Sequence, residues 1–468
     1  MGSVRIFRSY LKTPFLLLLI FEIAVLFIAV YAASYVRFYS DRSLFTAIFD
    51  DLWKVALVFT VITTLSMLAT GLYQGQIREG FAGVLIRIVI SFVASMILTS
   101  LIFYLFPELS LGRGIIAGSY LQSFFVIATA RAVFFELVDK TAFRTRILVY
   151  GAGETAAHID AKLRRKADRR GFEIVGYILL PGQTCKISKS SLITYNKPLV
   201  TFVREIEVDE IVVATSDIDT EIPVDELVNC KLNGIEIVDI LSFFEREAGQ
   251  IRVDILEPAW LVTSEGFQQS KIQNNIKKVF DITASLVILT IAAPFLILTA
   301  FAIWLEDWGK SPIFYSQQRV GKQGRPFKVY KFRSMRDDAE KPGVAEWAAK
   351  SDDRVTRVGA IIRKTRLDEF PQILNVLNGT MSFVGPRPER PQFVEELEKE
   401  IPYYDVRHMV KPGVTGWAQL LYPYGSSISD SYQKQLFDMY YVKNHSLFLD
   451  CLILLQTVEL VIFGKGAR

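Results

Sequence analysis

Cysteine and histidine are scarce. The 468-residue chain holds three of each, Cys185, Cys230 and Cys451, and His158, His408 and His445. No two cysteines stand at Cys-x-x-Cys spacing, so neither a disulfide framework nor a cysteine zinc site follows, which suits a reducing compartment. Gly-x-Ser-x-Gly and His-Glu-x-x-His are both missing, which leaves serine-hydrolase and zincin chemistry without their groups. An excess of one charge is missing too. Lys and Arg number 53 against 49 Asp and Glu, too even a balance for a nucleic-acid partner. With Gly at 28 and Pro at 17, collagen-like repeats and low-complexity disorder are excluded. What is abundant is apolar: 51% hydrophobic and 13% aromatic, beside 22% charged. That mixture describes a multidomain membrane protein with a substantial soluble part.

Four apolar segments come first, Phe15 to Val36, Leu52 to Leu72, Gly83 to Phe106 and Ile115 to Val138. Each is long enough to cross a hydrocarbon core of roughly 30 Å. Arg5, Arg8 and Lys12 precede the first, and Lys140, Arg144 and Arg146 follow the fourth. Basic residues mark the cytoplasmic side, so an α-helical transmembrane bundle over 1–140 has both flanks in the cytoplasm. Glu22, Lys54, Arg87 and Arg131 lie in or beside these spans, and helix–helix pairing or snorkelling explains them better than a transport path.

The texture then becomes α/β over 141–268. Arg146–Tyr150, Phe172–Ile178 and Glu210–Ala214 read as buried parallel strands, and Gly151-Ala-Gly-Glu-Thr-Ala156 turns the first into a helix. The Gly-x-Gly-x-x-Ala pattern suits a Rossmann-like domain. The rest of the dinucleotide fingerprint fails, because Leu179-Leu180 stand where a ribose-binding acid is expected and no Tyr-x-x-x-Lys occurs. A structural or regulatory role fits this domain better than a working NAD enzyme, with a bound nucleotide left open.

A fifth apolar run, Ile282 to Leu305, has Pro294 near its middle. Lys277 and Lys278 precede it, and Lys310, Arg319, Lys322 and Arg325 follow. Basic residues on both flanks conflict with a single crossing. A broken helix over 269–310 that enters and leaves the same leaflet resolves the conflict, and an ordinary kinked span is the alternative.

Residues 311–468 carry the chemistry. Phe327-Lys-Val-Tyr-Lys-Phe-Arg-Ser-Met335 alternates apolar and basic, so a strand sets Lys328 apart from Lys331 and Arg333. Next comes Ile361 to Gly379, where Phe370, Ile373, Leu374 and Leu377 fall on one face of a helix that Asn378-Gly379 stops. Asp368 and Glu369 fall in its first turn, where Arg363, Lys364 and Arg366 should hold both acids ionised and attract phosphate. Two rigid Gly/Pro turns follow, Phe383-Val-Gly-Pro-Arg-Pro-Glu389 and Lys411-Pro-Gly-Val-Thr-Gly416; their Arg387 and Lys411 hint at anion clamps. Leu447 to Phe463 is too irregular to span, and an interfacial or packed helix fits it better.

Together Tyr330-Lys-Phe-Arg-Ser-Met335, Leu367-Asp-Glu-Phe-Pro-Gln372, Ser382-Phe-Val-Gly-Pro-Arg-Pro388 and Pro412-Gly-Val-Thr-Gly416 resemble the bacterial sugar transferase family, the monotopic polyprenyl-phosphate phosphoglycosyl transferases. The resemblance runs from about Lys277 to the C-terminus. The four spans and Rossmann-like domain resemble long members that initiate exopolysaccharide or O-antigen synthesis, and Gly464–Arg468 is similar to the exosortase-associated exopolysaccharide subgroup. The resemblance implies a mainly α catalytic domain with a re-entrant helix broken at Pro294, at the cytoplasmic face of the bacterial inner membrane. It implies transfer of a sugar 1-phosphate from a UDP-sugar to undecaprenyl phosphate with release of UMP, and leaves room for a homo-oligomer. Asp368 matches the nucleophile and Glu369 its partner, both placed to hold Mg²⁺. Lys331, Arg333, Arg363, Arg387 and Lys411 match phosphate-binding positions, and Asp438 a further acid.

Three rivals stand beside this reading. An NAD-dependent dehydratase lacks its base. A metal-dependent glycosyltransferase would use Asp217-Ile-Asp219, and a non-catalytic scaffold for polysaccharide export would make the basic strand and the acid pair mere surface charge.

Overall fold

The computed structural model describes residues 3–6, 9–40, 42–70, 72–73, 80–109, 112–139, 144–163, 172–215, 223–256, 258–264, 266–267, 270–336, 354–422, 425 and 427–462. Asp217-Ile-Asp219 and the stretch 464–468 lie outside them. The chain divides after Ala248 into two compact units. Ile251, Val253 and Leu256 belong to the core of the second, about twenty residues ahead of the expected limit at 268.

Four long helices open the first unit: α1 (Thr13–Arg37), α2 (Leu52–Ala69), α3 (Gly80–Leu105) and α4 (Arg113–Asp139). Each is long and apolar enough to cross a membrane. They share one core, with Leu26 and Val30 from α1, Phe59 from α2, Phe92 from α3 and Tyr120 from α4. Little hydrophobic force drives helices together in lipid, so polar contacts and close packing must hold them. Thr63 and Ser95 share a hydrogen bond at 2.7 Å, Ser95 continues to Tyr120 at 2.8 Å, and Thr70 meets Ser91 at 2.6 Å.

The intramembrane charges are paired as expected. Arg131 grips Glu22 through Nε and Nη2 at 2.6 and 2.8 Å and donates Nη1 to the Leu72 carbonyl at 2.7 Å. The Tyr73 hydroxyl donates to the same carboxylate, and Arg87 donates to Thr70 O at 2.6 Å. Lys54 pairs with Asp51 at the exposed start of α2.

A four-stranded parallel sheet follows, built from β1 (Thr145–Tyr150), β2 (Phe172–Ile178), β3 (Glu210–Val213) and β4 (Glu236–Asp239) in the order β2-β1-β3-β4. Ile147, Leu148 and Val149 are fully buried in succession, which requires cover on both faces of the sheet. Gly151 after β1 has φ +126°, and a Cβ there would lie 2.4 Å from the Ala214 carbonyl, so only glycine fits. The next amide, Ala152 N–H, donates to Gln183 Oε1 at 3.1 Å. A group that would face phosphate in a dinucleotide enzyme is thus occupied by the protein's own side chain, in keeping with the incomplete fingerprint.

The second unit begins with helix α5 (Lys271–Asp307), 37 residues that include Pro294. The expected broken helix is one helical run. Ser270 and Gln273 form a reciprocal capping box at its start, and Trp308 ends it in the left-handed region. Both ends are tied to the same unit. Lys277 pairs with Asp450, and Asp281 accepts from Ser382 Oγ at 3.1 Å. At the far end, Asp307 pairs with Arg333 at 2.7 Å, and Glu306 accepts from Val358 N–H at 3.1 Å. Between them Ile291 and Phe295 are 69% and 61% exposed. The C-terminal helix over Leu447–Ile462 sends Leu449 and Ile453 into the core, so it packs where the sequence left packing or interfacial lodging open.

Arg131→Ala strands a buried carboxylate and should cost about 3–5 kcal/mol of stability, whereas Glu22→Met/Arg131→Met should recover most of that loss. Thermal unfolding in detergent measures both, and a double variant at least as weak as the single one would show that the two charges do not balance each other.

Candidate active site

Three elements converge. Strand β6 (Pro326–Phe332), paired antiparallel with β5 (Phe314–Val320), delivers Lys331. A 3₁₀ segment, Leu367–Gln372, delivers Asp368 and Glu369. The turn after β7 (Ser382–Val384) delivers Arg387.

A separate helix, α6 (Arg357–Lys364), stands before the acid pair, and the helix expected to begin at that pair is two pieces, the 3₁₀ segment and α7 (Ile373–Leu377). Arg366 separates α6 from the pair with φ 57°, a left-handed conformation rare for a residue with a Cβ. Pro371, with no N–H to donate, sits inside the 3₁₀ stretch. The acid pair is therefore not at the mouth of a long helix dipole. Asn375, almost fully buried, ties α7 to the strand instead. It accepts from Tyr330 N–H at 3.0 Å and donates to Lys328 O at 2.7 Å. Sequence reasoning missed it, although a polar residue between Leu374 and Val376 was the available signal.

Glu369 accepts from Lys331 Nζ at 3.0 Å and Arg387 Nη2 at 2.9 Å, both on Oε1. Burial alone would raise its pKa, but these two cations hold it far below the usual carboxylate range. Asp368 differs. Burial and the charge of Glu369 push its pKa up, against the pull of Lys331, Arg363 and Arg387. Its carboxylate makes no hydrogen bond or ion pair among the described residues. The expectation that Arg363, Lys364 and Arg366 hold both acids down thus fails for Asp368, and for Glu369 it holds through Lys331 and Arg387 from distant segments. Adjacent carboxylates with opposed shifts take different roles. Glu369 is held as a fixed charge, and Asp368 is the more basic of the two, with no hydrogen bond among the described residues.

The remaining expected clamps go elsewhere. Arg333 is buried and paired with Asp307. Lys411 is partly buried, with Asp281, Lys278, Lys322 and Lys277 as its charged neighbours. Asp438 is fully enclosed against Arg407 at 2.8 Å. Pro294 lies in α5, away in sequence from all three converging elements.

The two Gly/Pro turns prove to be one structure. Strand β7 pairs in parallel with β8 (Gly413–Thr415). Gly385 N–H donates to Thr415 O, and Gly413 N–H donates to Pro386 O, both at 3.0 Å. A Cβ on Gly413 would fall 2.1 Å from Gly385 N, and one on Gly385 would fall 2.3 Å from Lys411 O. Both glycines are present so that two backbones can touch.

Magnesium fits this donor set. Among the described residues no three His, Cys, Asp or Glu side chains cluster, so no all-protein cage exists. Mg²⁺ is commonly held by one or two carboxylates together with substrate phosphates, and Asp368 offers unengaged oxygens for that arrangement.

The model of the family described as bacterial sugar transferase matches residues 272–464. The exopolysaccharide production protein PSS of Rhizobium leguminosarum bv. phaseoli is 43% identical over 201 residues, 41% of this chain and 98% of that protein. The chain belongs to the bacterial sugar transferase family. Two longer relatives are the UDP-N-acetylgalactosamine-undecaprenyl-phosphate N-acetylgalactosaminephosphotransferase of Aeromonas hydrophila and the UDP-glucose:undecaprenyl-phosphate glucose-1-phosphate transferase of Escherichia coli (strain K12). The first is 42% identical over 242 residues, 52% of this chain and 56% of that protein. The second is 40% identical over 200 residues, 42% of each chain. The chain thus spans about half the length of these two. Every converging element above lies inside the segment that the family model matches.

Glu369 binds its proton more weakly folded than unfolded. Its ion pairs therefore stabilise the fold above the ordinary glutamate value of 4.5, and that contribution disappears as pH falls below it. Lys331→Met/Arg387→Met should cost on the order of 3 kcal/mol at neutral pH and flatten the acid side of the stability profile. Chemical denaturation across pH checks this; parallel profiles for variant and parent would show that the two cations do not hold Glu369.

Proposed function

We propose that this chain transfers a sugar 1-phosphate from a UDP-sugar to undecaprenyl phosphate, as the initiating step of exopolysaccharide or O-antigen synthesis. The observation that carries the reading is the unequal acid pair, an unengaged Asp368 beside a Glu369 held by two cations. The relatives act in name on undecaprenyl phosphate, with N-acetylgalactosamine in one and glucose in the other.

In this mechanism a carboxylate oxygen of Asp368 attacks the phosphorus that bears the sugar. A P–O bond forms to Asp368 while the bond bridging the two phosphates breaks, and UMP leaves with the electron pair. An oxygen of the lipid phosphate then attacks the same phosphorus and frees the Asp368 carboxylate. Lys331 and Arg387 orient Glu369 and offset the charge of the diphosphate, and Arg363 adds to that field. Asp368, with Glu369 beside it, would hold Mg²⁺, which when bound offsets phosphate charge.

The same reading sets the catalytic unit at the cytoplasmic face of the inner membrane, with α5 entering and leaving one leaflet. Its support is the polar anchoring of both ends of α5 on one unit. A crossing would separate those anchors by the bilayer. Pro294 leaves one helix carbonyl without its donor and gives the run a place to bend.

Asp368→Asn should lower turnover by roughly three orders of magnitude or more. Given a UDP-sugar without lipid, the parent enzyme should release a stoichiometric burst of UMP and retain labelled sugar phosphate, and the variant should do neither. Release of UDP would favour a glycosyltransferase, and no turnover on a panel of UDP-sugars would favour the scaffold. UMP release only with lipid present, without enzyme-bound label, would demote Asp368 from nucleophile.

Cysteines placed at 275 and 312 should both be shielded from an impermeant thiol reagent added to intact cells. Labelling of position 312 alone would establish a true crossing.

A further inference from the structure

The turn that aims Arg387 at Glu369 is held from behind. Helix α9 (Ile428–Asn444) places Asp438 and Tyr441 three residues apart, on one face; a shorter helix, α8 (Pro391–Glu400), precedes it. The Tyr441 hydroxyl lies 2.9 Å from Val384 O, at the entrance of the turn, and shares its one proton between that carbonyl and Asp450 Oδ1 at 2.7 Å. At its exit, Arg407 Nη2 donates to Arg387 O at 3.0 Å, and the same nitrogen donates to Asp438 Oδ2 at 2.8 Å. The Arg407 guanidinium also donates to the Tyr404 hydroxyl and lies over that ring at 4.8 Å. Arg319 occupies the next carbonyl, Pro388 O, at 3.1 Å. Three carbonyls of one short turn are therefore engaged by side chains from outside it.

Burial lifts the Asp438 carboxyl to about 6, against the pull of Arg407. Such a shift is a common sign of a proton-handling acid. The geometry points the other way. A general acid must come within hydrogen-bond reach of the group it protonates, whereas Asp438 is 2% exposed and stands behind Arg407. Its neighbours are groups of structural charge: Arg407, Glu389 and Lys434.

We propose that Asp438 is a positioning residue: through Arg407 it fixes the Arg387 carbonyl and so aims the Arg387 guanidinium at Glu369, without touching substrate. This rests on the proposed sugar-phosphate transfer. Removing the negative charge loosens Arg407, the turn gains freedom, and the Arg387 fork no longer meets the carboxylate at a set angle. Loss of alignment falls on the chemical step more than on substrate binding.

The test is a double-mutant cycle on UMP release by the full chain in nanodiscs. Asp438→Asn should cut kcat about 10- to 100-fold while KM stays within about threefold. In an Arg387→Ala background the same replacement should change kcat by less than about threefold, because coupled residues do not add. The acid limb of the pH–rate profile should keep its midpoint in Asp438→Asn. If that variant does not fold, Arg407→Lys carries the same cycle, since it keeps the buried charge balanced but loses the donor geometry at Arg387 O. Full additivity with Arg387→Ala, or an acid limb that moves with Asp438→Asn, would overturn the proposal. A parent enzyme that never releases UMP would overturn the transfer reading instead.

Discussion

The site depends on one carboxylate with two cations. Glu369 joins a strand through Lys331 and a turn through Arg387, so three segments far apart in sequence meet at a single oxygen. An ion pair this buried is costly to assemble and more costly to leave half assembled. It gives placement as well as stability. Its second effect is electrostatic. By taking the cations closest to the pair, Glu369 leaves its neighbour with an unengaged carboxylate in a partly desolvated place.

The long helix α5 takes part in this more than its apolar surface suggests. Asp307 at one end engages Arg333, two residues beyond Lys331 on the same chain segment. Asp281 near the other end receives Ser382, just before the turn that carries Arg387. A long apolar helix and the candidate site are thus braced by the same polar contacts. The placement of one and the shape of the other are not independent.

The architecture was legible where it rested on local pattern. Long apolar runs predict the four helices of the first unit, and the alternation of buried strands predicts its sheet. Asp368, Glu369 and Arg387 were legible through motif resemblance. What was not legible were partners supplied by remote segments. Lys331 near the end of β6 and Arg333 just beyond it stand two residues apart, yet one meets Glu369 and the other meets Asp307. No spacing rule separates them. Arg407, Tyr441 and Asn375 were passed over because their work is done on backbone carbonyls and amides, which carry no signature in sequence. The left-handed turn at Arg366 was not legible because a positive φ on arginine has no compositional cue, unlike glycine at Gly151.

The contact between β7 and β8 has one further consequence. Where side chains meet, a loss on one side can be made good by a gain on the other, and the spacing of two segments drifts over time. At Gly385 and Gly413 nothing smaller exists to substitute, and nothing larger enters without displacing main chain. The peptide backbone itself sets the gauge. The frame on which Arg387 is mounted therefore keeps one width.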